Sequence, residues 1–309
     1  MCTLELNKVI EKLKSLQAKR ILIQFPEGLK LRIQEISDGI ERSGIETCLC
    51  LEHTFGACDV REDEAKRLNC DAILHIGHAD FGVKTKMSVV YWDYFLDADP
   101  VPVLEKEFDK IKKYKNIGLV TSLQFVKTIP IVGQWLEKKG IQAYVAKSQQ
   151  YPGQMLGCRV GAGKKIEQKV DVFLCISAGK FYGLGLALET EKPILNLDLE
   201  KQTIHEIESQ KKKIQKIVAW NKQLLKEATR IGLLISWKKG QMFGKPFEDK
   251  KKLEDLGKKV YILAFDEWSN DKLEGLKLDI LISYACPRIA TDDLERTKIP
   301  LLNWDDLGQ

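Results

Sequence analysis

A short unit of strand, helix and strand occurs three times along this chain of 309 residues. Each unit contains an apolar segment that begins with aspartate, at residues 71–77, 171–177 and 279–285. In each unit an earlier apolar strand, a helix and a second strand precede that segment in the same order. Short apolar strands that alternate with helices are typical of parallel sheets buried on both faces. The sequence therefore predicts three repeated α/β domains.

Closing strands indicate where each domain ends. They are predicted at residues 193–198 and 300–305, and a weaker match lies at 102–104. A polar helix from about residue 200 to 229 leads into the third domain. The predicted domains are residues 1–100, 101–200 and 201–309.

Three cysteines, Cys58, Cys158 and Cys286, lie in small-residue loops just after predicted strands. Ligands of parallel sheets bind at the carboxyl ends of strands. We therefore expect a pseudo-threefold arrangement in which three sheet edges face one axis and the three thiolates converge. Cys58 and Cys158 precede the aspartate-led strand of their unit, whereas Cys286 follows it, so the third thiolate comes from a different loop of the repeat.

Eight cysteines in a chain of this kind indicate metal binding or catalysis, since disulfide frameworks are typical of small secreted domains. Thiolates are the usual ligands of iron–sulfur clusters, and a cubane needs four. Three thiolates leave one iron open to substrate, as in a catalytic metal site. The alternative is a zinc site with His53 or His78 as the fourth ligand. The remaining cysteines are interpreted as structural. Cys48, Cys50, Cys70 and Cys175 are expected to fill the core, and Cys2 is terminal.

Arginines accompany the three cysteines. Arg61, Arg159 and Arg288 each lie within three residues after one of them, although the chain has few arginines. Guanidinium groups stabilise an anionic cluster and bind carboxylates. This pattern favours an anionic ligand at the same site.

Composition excludes several classes of protein. Hydrophobic residues make up 44% and charged residues 30%, as in globular proteins, and the longest apolar run is too short to span a bilayer. The first residues contain no apolar signal core, which predicts a cytoplasmic protein. The net charge of +5 comes from lysine clusters that are typical of solvated helix faces. Basic motifs interleaved with aromatic residues are absent, so DNA binding is not expected.

Five stretches carry a family resemblance: residues 55–60, 75–78, 156–158, 177–181 and 285–288. Together they resemble the archaeal-type diphthamide-synthesis enzymes, the 2-(3-amino-3-carboxypropyl)histidine synthases, and the resemblance covers nearly the whole chain. Phe55 stands where the family is expected to have tyrosine.

The resemblance implies a homodimer in which Cys58, Cys158 and Cys286 of each chain hold a [4Fe-4S] cluster. S-adenosylmethionine is expected at the open iron. An electron donor reduces the cluster, and the bond from sulfur to the γ-carbon of the methionine part is broken. The 3-amino-3-carboxypropyl group is transferred to a histidine of elongation factor 2, and methylthioadenosine leaves. No catalytic residue beyond the three cysteines is implied.

Further site residues are candidates for binding S-adenosylmethionine. Gln241 and Arg288 are expected at the methionine carboxylate or amine, and Gly28, in the turn after the first strand, at the nucleoside. His75 and His78 either face the same cavity or cap a strand. Ser177 and Lys180 are weaker candidates.

Two other functions compete with this interpretation. Quinolinate synthase also uses three related α/β domains with one cluster-binding cysteine each, and it ignores S-adenosylmethionine. An accessory subunit would keep the fold and assist a catalytic partner. The presence of all three cysteines argues against the accessory subunit.

Overall fold

The computed structural model of the chain describes residues 3–307 except 292, 293, 295 and 296. They form three mostly parallel sheets connected by helices, which confirms the predicted α/β class. The chain divides into two compact units. The first unit holds the residues up to Tyr94 together with Lys238–Gln241, and the second holds Phe95–Trp237 and the residues from Met242 onward. The domain limits at residues 100 and 200 and the pseudo-threefold arrangement stay predictions.

The first unit contains one sheet, in which every pairing is parallel. Its elements are α1 (Thr3–Ser15), β1 (Arg20–Gln24), α2 (Ile33–Glu41), β2 (Glu46–Leu49), α3 (Glu62–Arg67), β3 (Ala72–Ile76) and β4 (Ser88–Trp92). The strand order is β2-β1-β3-β4. The central strands β1 and β3 are therefore flanked on both sides, and their apolar side chains are buried.

The second unit begins with a five-stranded sheet. Its elements are α4 (Val101–Lys106), α5 (Phe108–Ile111), β5 (Asn116–Thr121), α6 (Thr128–Lys138), β6 (Gln142–Tyr144), α7 (Gly161–Lys164), β7 (Val172–Ser177), α8 (Phe181–Glu189), β8 (Ile194–Asp198) and β9 (Thr203–Glu206). The strand order is β6-β5-β7-β8-β9, and the last pairing is antiparallel.

The second unit also contains a four-stranded parallel sheet. Its elements are α9 (Glu208–Glu227), β10 (Arg230–Ser236), α10 (Pro246–Asp255), β11 (Lys259–Phe265), β12 (Ile280–Ser283) and β13 (Leu301–Asn303). The strand order is β11-β10-β12-β13. One apolar core joins both sheets of this unit, and it includes Phe173 of β7, Ile214 of α9 and Leu281 of β12.

Helix α2 follows from local sequence rules. Ile33, Ile36 and Ile40 repeat at helical spacing and are buried, so one face of the helix packs on the sheet. Gly44, with φ of +88°, ends the turn after the helix in the left-handed region that favours glycine.

An aspartate fixes the start of each sheet. It lies just before the third strand of its sheet in chain order (β3, β7 or β12). Its carboxylate accepts two backbone N–H groups at the beginning of the first strand (β1, β5 or β10), at 2.7–3.1 Å. The bonds run from Lys19 and Arg20 to Asp71, from Lys115 and Asn116 to Asp171, and from Thr229 and Arg230 to Asp279. The repeat seen in the sequence is therefore also a repeated hydrogen-bond pattern.

Two of the predicted elements were wrong. Residues 102–104, expected as a strand, lie in α4, and the strand that closes the first sheet is β4. Pro100 precedes α4 and a second proline follows at Pro102, where the first turn of a helix tolerates proline. The polar helix begins at Glu208 rather than about residue 200, because the chain first adds β9 to the sheet.

No helix in the described part of the chain is both long enough and apolar enough to cross a lipid bilayer.

Candidate functional site

Cys58 lies in the loop between β2 and α3 of the first unit, and its side chain is half-buried. The backbone N–H of Asp59 bonds to the Gly56 carbonyl at 3.0 Å, so residues 56–59 form a tight turn. A Cβ atom at position 56 would lie 3.3 Å from the Cys58 sulfur. Glycine at this position therefore keeps space beside the thiol.

Gln24 holds this loop from the end of β1. Its side chain is fully buried, and its amide donates to the Asp59 carbonyl at 2.9 Å. Its amide oxygen accepts the backbone N–H of Arg61 at 3.0 Å. Both polar ends of a buried amide are thus satisfied by the chain just after Cys58.

The segment Lys238–Gln241, called here the 238–241 segment, contacts Cys58 directly. The backbone N–H of Gly240 bonds to the Cys58 carbonyl at 2.9 Å. The side-chain amide of Gln241 donates to the Cys58 sulfur at 3.3 Å. The sequence prediction placed Gln241 near substrate, and the structure places it on the cysteine.

Asp59 is the centre of a buried group of charges. Its carboxylate lies 2.7 Å from the Lys238 ammonium and 3.1 Å from Nε of Arg61. The side chains of Lys238 and Asp59 are 3% and 2% exposed, so this ion pair is removed from water. A buried carboxylate needs such partners, since an unpaired charge in the protein interior is costly.

Glu62 is a second buried carboxylate, at the start of α3. It accepts the backbone N–H groups of Lys86 and Met87 at 3.0 and 3.2 Å, and it pairs with Lys66 and Lys239. The Lys239 ammonium lowers the pKa of Glu62 to about 2, against the opposing effect of burial. Glu62 therefore joins α3, the loop before β4 and the 238–241 segment.

The thiol of Cys58 experiences opposing influences. Burial raises its pKa, and the hydrogen bond from Gln241 acts in the opposite direction. Lys238 also favours the thiolate, whereas Asp59 disfavours it. The neighbours of Cys58 that supply donors and positive charge are thus the ones a metal-bound thiolate requires.

Cys158 lies at the corner of a tight turn in the second unit and is exposed. Leu156 and Arg159 exchange backbone hydrogen bonds at 3.1 and 3.0 Å, which leaves Gly157 and Cys158 between them. A Cβ atom on Gly157 would overlap the Phe181 ring, and one on Gly185 would overlap the Gly157 carbonyl. Helix α8 therefore packs against this turn through positions where only glycine fits.

A cavity of about 590 Å³ adjoins the Cys158 turn. Cys158, Phe181 and Arg288 line it, together with polar residues that include Lys222 and Asp305. The guanidinium carbon of Arg288 lies 4.4 Å from the centre of the Phe181 ring, which holds the cation at the cavity wall. A cavity of this size accommodates a small molecule.

Cys286 is half-buried and precedes a short 3-10 helix, Pro287–Ala290, beyond β12. The backbone N–H of Ile289 bonds to the Cys286 carbonyl at 3.1 Å. The buried ring of Tyr284 anchors the strand end before it, since its hydroxyl donates to Asp249 at 3.0 Å. Pro287 and Arg288 thus bring the chain after Cys286 to the cavity that Cys158 lines.

The remaining candidates have varied surroundings. Gly28 is exposed in a short 3-10 helix after β1. His75 and His78 bond to each other at 3.1 Å, and burial lowers their pKa values to about 3 and about 4. The Ser177 hydroxyl lies 3.1 Å from the Gly179 carbonyl, at the turn that leads through Lys180 into α8. These contacts give His75, His78 and Ser177 structural partners.

None of the seven described cysteines is in a disulfide, and Cys2 lies outside the described residues. Burial raises the pKa of Cys175 to about 12. Burial and the neighbouring Cys48 raise that of Cys70 to about 12. Cys50, Cys70 and Cys175 are buried, as expected of core residues.

Within the described part of the chain, no three His, Cys, Asp or Glu side chains are grouped as a preformed metal site. The convergence of Cys58, Cys158 and Cys286 therefore stays a prediction. The donor set nevertheless suits an iron–sulfur cluster, because each of the three is a cysteine outside any disulfide, lies in a loop and is less buried than the core cysteines Cys50, Cys70 and Cys175.

The fold and these sites define a class of protein with three related α/β sheets and single accessible thiols in the loops that follow their strands. Residues 25–307 match the model of a family described as "Putative diphthamide synthesis protein". The chain belongs to this family.

Curated relatives carry a more specific name. The chain is 29% identical over 301 residues to 2-(3-amino-3-carboxypropyl)histidine synthase of Pyrococcus horikoshii, covering 96% of this chain and 86% of that protein. It is 29% identical over 325 residues to the synthase of the same name from Methanocaldococcus jannaschii, with the same coverage. The crystal structure of Dph2 from Pyrococcus horikoshii with a 4Fe-4S cluster matches 98% of this chain and 88% of that chain, with a TM-score of 0.87 and 28% identity.

Proposed function

We propose that this chain transfers the 3-amino-3-carboxypropyl group of S-adenosylmethionine to a histidine of elongation factor 2, the first step of diphthamide synthesis. Membership of the diphthamide family, the name of the archaeal relatives and the cluster in the matching crystal structure support this function. Family membership also disfavours the quinolinate synthase alternative.

The observation that carries the proposal is the cavity of the second unit. It is lined by a thiol, Cys158, and by a cation, Arg288, that stacks on Phe181. A thiol suits an iron atom, and a guanidinium group suits a carboxylate such as that of methionine. One cavity thus contains donors for a cluster and for the amino-acid part of S-adenosylmethionine.

Each residue has a defined part in this proposal. Cys58, Cys158 and Cys286 hold the [4Fe-4S] cluster, which supplies one electron and an iron open to substrate when it is bound. Arg288 binds the methionine carboxylate and so orients the sulfonium, since orientation decides which carbon–sulfur bond faces the iron. Gln241 donates a hydrogen bond to the Cys58 sulfur.

The reaction conserves atoms and electrons. One electron breaks the bond between the sulfonium sulfur and the γ-carbon, which gives neutral methylthioadenosine and a carbon radical. The radical adds to C2 of the histidine imidazole. The aromatic ring would be restored when one proton leaves to solvent and one electron returns to the oxidised cluster. An external electron donor is needed to bring the cluster to its reduced state. From the family resemblance the proposal also includes a homodimer and a cytoplasmic location with elongation factor 2.

Product analysis tests this function. Anaerobically reconstituted protein, reduced with dithionite and given S-adenosylmethionine, should yield methylthioadenosine, with 5′-deoxyadenosine absent or minor. With elongation factor 2 present, label from the methionine carboxyl carbon should appear on the factor. Dominant 5′-deoxyadenosine would refute the assigned bond cleavage. An intact, reduced cluster that gives neither product would favour the accessory subunit.

A further inference from the structure

We propose that Lys238 is a positioning residue for Cys58, and that its ion pair with Asp59 holds the 238–241 segment over this cysteine. The inference rests on the proposed function in that it treats Cys58 as a cluster ligand. The contacts that carry it exist without the cluster, within the first unit.

The ion pair of Lys238 with Asp59 is the more deeply buried of two ion pairs that hold the segment, the other being that of Lys239 with Glu62. Lys238 reaches Asp59 at 2.7 Å with both side chains almost fully buried. Asp59 is the residue after Cys58, so this ion pair acts on the cysteine loop itself. Without Lys238 the buried Asp59 carboxylate keeps Arg61 at 3.1 Å but loses its partner in the segment. The link between the segment and the cysteine loop is then weaker, which favours opening of the segment.

The contacts to Cys58 follow two and three residues after Lys238. A Cβ atom on Gly240 would lie 2.6 Å from the Cys58 carbonyl oxygen and 2.7 Å from its Cα. Backbone therefore meets backbone at a distance that excludes any larger residue. This close approach allows the N–H bond from Gly240 and places the Gln241 amide 3.3 Å from the sulfur.

The two supports of the cysteine loop differ in kind. Gln24 extends from the end of a core strand and holds the loop from inside the sheet. The 238–241 segment is a loop, and it can open without unfolding the sheet, as local openings do in native proteins. Lys238 thus sets how often Gln241 is present at the Cys58 sulfur.

A hydrogen bond to a cluster-bound sulfur is one determinant of the cluster's reduction potential. When Lys238 holds the segment in place, the hydrogen bond from Gln241 to the Cys58 sulfur is present in every molecule. Without this ion pair, Cys58 should be more exposed, and a bound cluster should occupy a mixture of environments with and without the hydrogen bond.

Alkylation of the metal-free protein tests the proposal. Protein reduced under argon is treated with iodoacetamide, a neutral reagent, and each cysteine is followed by peptide mass spectrometry. In the unmodified chain, Cys58 should react more slowly than the exposed Cys158. Lys238→Met should accelerate alkylation of Cys58 on the order of tenfold and leave Cys158 unchanged. Loss of a cation by itself disfavours the thiolate and slows alkylation, so acceleration reports exposure.

Three further variants complete the test. Lys238→Arg keeps the charge and should restore slow alkylation of Cys58. Gly240→Ala leaves the ion pair and displaces the segment by steric overlap, so it should also accelerate Cys58. Lys211→Met is the matched control, since Lys211 is an equally buried lysine that bonds to the Thr190 carbonyl at 2.7 Å. It should leave the Cys58 rate unchanged.

A Cys58 rate within twofold of the unmodified chain in Lys238→Met or Gly240→Ala would overturn the proposal. Acceleration at the buried Cys175 as well would mean loss of the fold, and would equally overturn a positioning role. After reconstitution, Lys238→Met should show a broadened electron paramagnetic resonance signal relative to Lys238→Arg. If the unmodified chain binds no iron, the proposed function fails, whereas the alkylation result stands by itself.

Discussion

Arg288 and Arg61 both lie within three residues of a cysteine, but their guanidinium groups have different partners. Arg61 is buried against Asp59, and its NH1 also reaches Glu64 at 3.2 Å. Arg288 stacks on Phe181 at the wall of the cavity. Among these two, Arg288 is therefore the one placed to meet a ligand, and Arg61 supports the cysteine loop.

Replacement of Arg288 should weaken S-adenosylmethionine binding more than it disturbs the cluster. The expected loss for Arg288→Ala is about 1.5–3 kcal/mol, the range for a hydrogen bond to a charged group. Equilibrium binding to anaerobic protein, with iron content measured in parallel, checks this. Arg159→Ala is the matched control, since Arg159 also follows a cysteine and does not line the cavity. Equal losses in both variants would contradict a specific carboxylate contact.

Glu62 should make the first unit sensitive to acid. Its folded pKa is lowered from 4.5 to about 2, so its stabilising contribution is complete above 4.5 and is lost as the pH falls toward 2. The contribution is about 3 kcal/mol at neutral pH. Urea unfolding of metal-free protein at several pH values measures it. Glu62→Gln should be less stable at pH 7, and its free energy of unfolding should change less between pH 5 and 2 than that of the unmodified protein. If the two free energies fall in parallel with pH, other groups cause the acid sensitivity.

Single residues of the site were predictable when their chemistry was rare in the chain. Cysteines in small-residue loops and an arginine beside them carry a local signal. Gln24 and Lys238 do not, because a glutamine in an apolar strand and one lysine among many look ordinary until the chain brings Asp59 between them. The sequence prediction found Gln241 through its loop, but its contact with the Cys58 sulfur depends on residues 183 positions apart.

Helix α8 packs closely on the Cys158 turn in the second unit. Gly185 faces the Gly157 carbonyl, and any Cβ atom there overlaps it. Gly185→Ala should therefore move the helix from the turn and destabilise the protein by about 1–3 kcal/mol, as overpacking does. It should also lower the iron content.

The control for this variant is Gly133→Ala in α6. A Cβ atom there would lie 3.9 Å from Leu119, an ordinary contact. Alanine in a helix is favoured over glycine by about 1 kcal/mol, so this variant should be slightly more stable. Thermal unfolding compares the two, and equal destabilisation would mean that the contact at Gly185 is not special.

At the scale of elements, buried strands and the helices between them were predictable from apolar spacing. β7 is buried at every position and was identified from its unbroken apolar run. The sequence prediction missed β4 and β9. Both are edge strands in which buried positions are mixed with exposed or half-buried ones, so neither has an unbroken apolar run. Such strands are stabilised by pairing with a neighbour, which no local pattern reveals.

For the whole molecule, the prediction to test is that all three sheets contribute to one cluster. Cys58→Ala, Cys158→Ala and Cys286→Ala should each lose or damage the cluster, since a cubane with two protein thiolates lacks half of its usual ligands. Iron content and visible absorption of anaerobic protein measure this. Cys175→Ala is the control and should retain close to four irons per chain, because Cys175 is fully buried in the core. Stoichiometric zinc without iron would refute the cluster.

The threefold sequence repeat was predictable because each copy repeats both the apolar strands and the aspartate before β3, β7 or β12. The structure adds the reason for the aspartate, which binds the backbone where the first strand begins. The predicted convergence of Cys58, Cys158 and Cys286 has no such local signature. It depends on how separate sheets are arranged, and a pattern within one sheet says nothing about its orientation toward another.

The sequence separation between Cys58 and Gln241 has a consequence for synthesis of the protein. All strands of the first sheet lie before residue 93 and can pair while the ribosome is still at work. The 238–241 segment leaves the ribosome much later, so until then the nascent first unit lacks the contacts of this segment with Cys58 and Asp59. An oxidant meets the cysteine most easily during that interval. Under the proposed function, iron and sulfide would therefore be delivered only after the 238–241 segment and Cys286 have emerged from the ribosome.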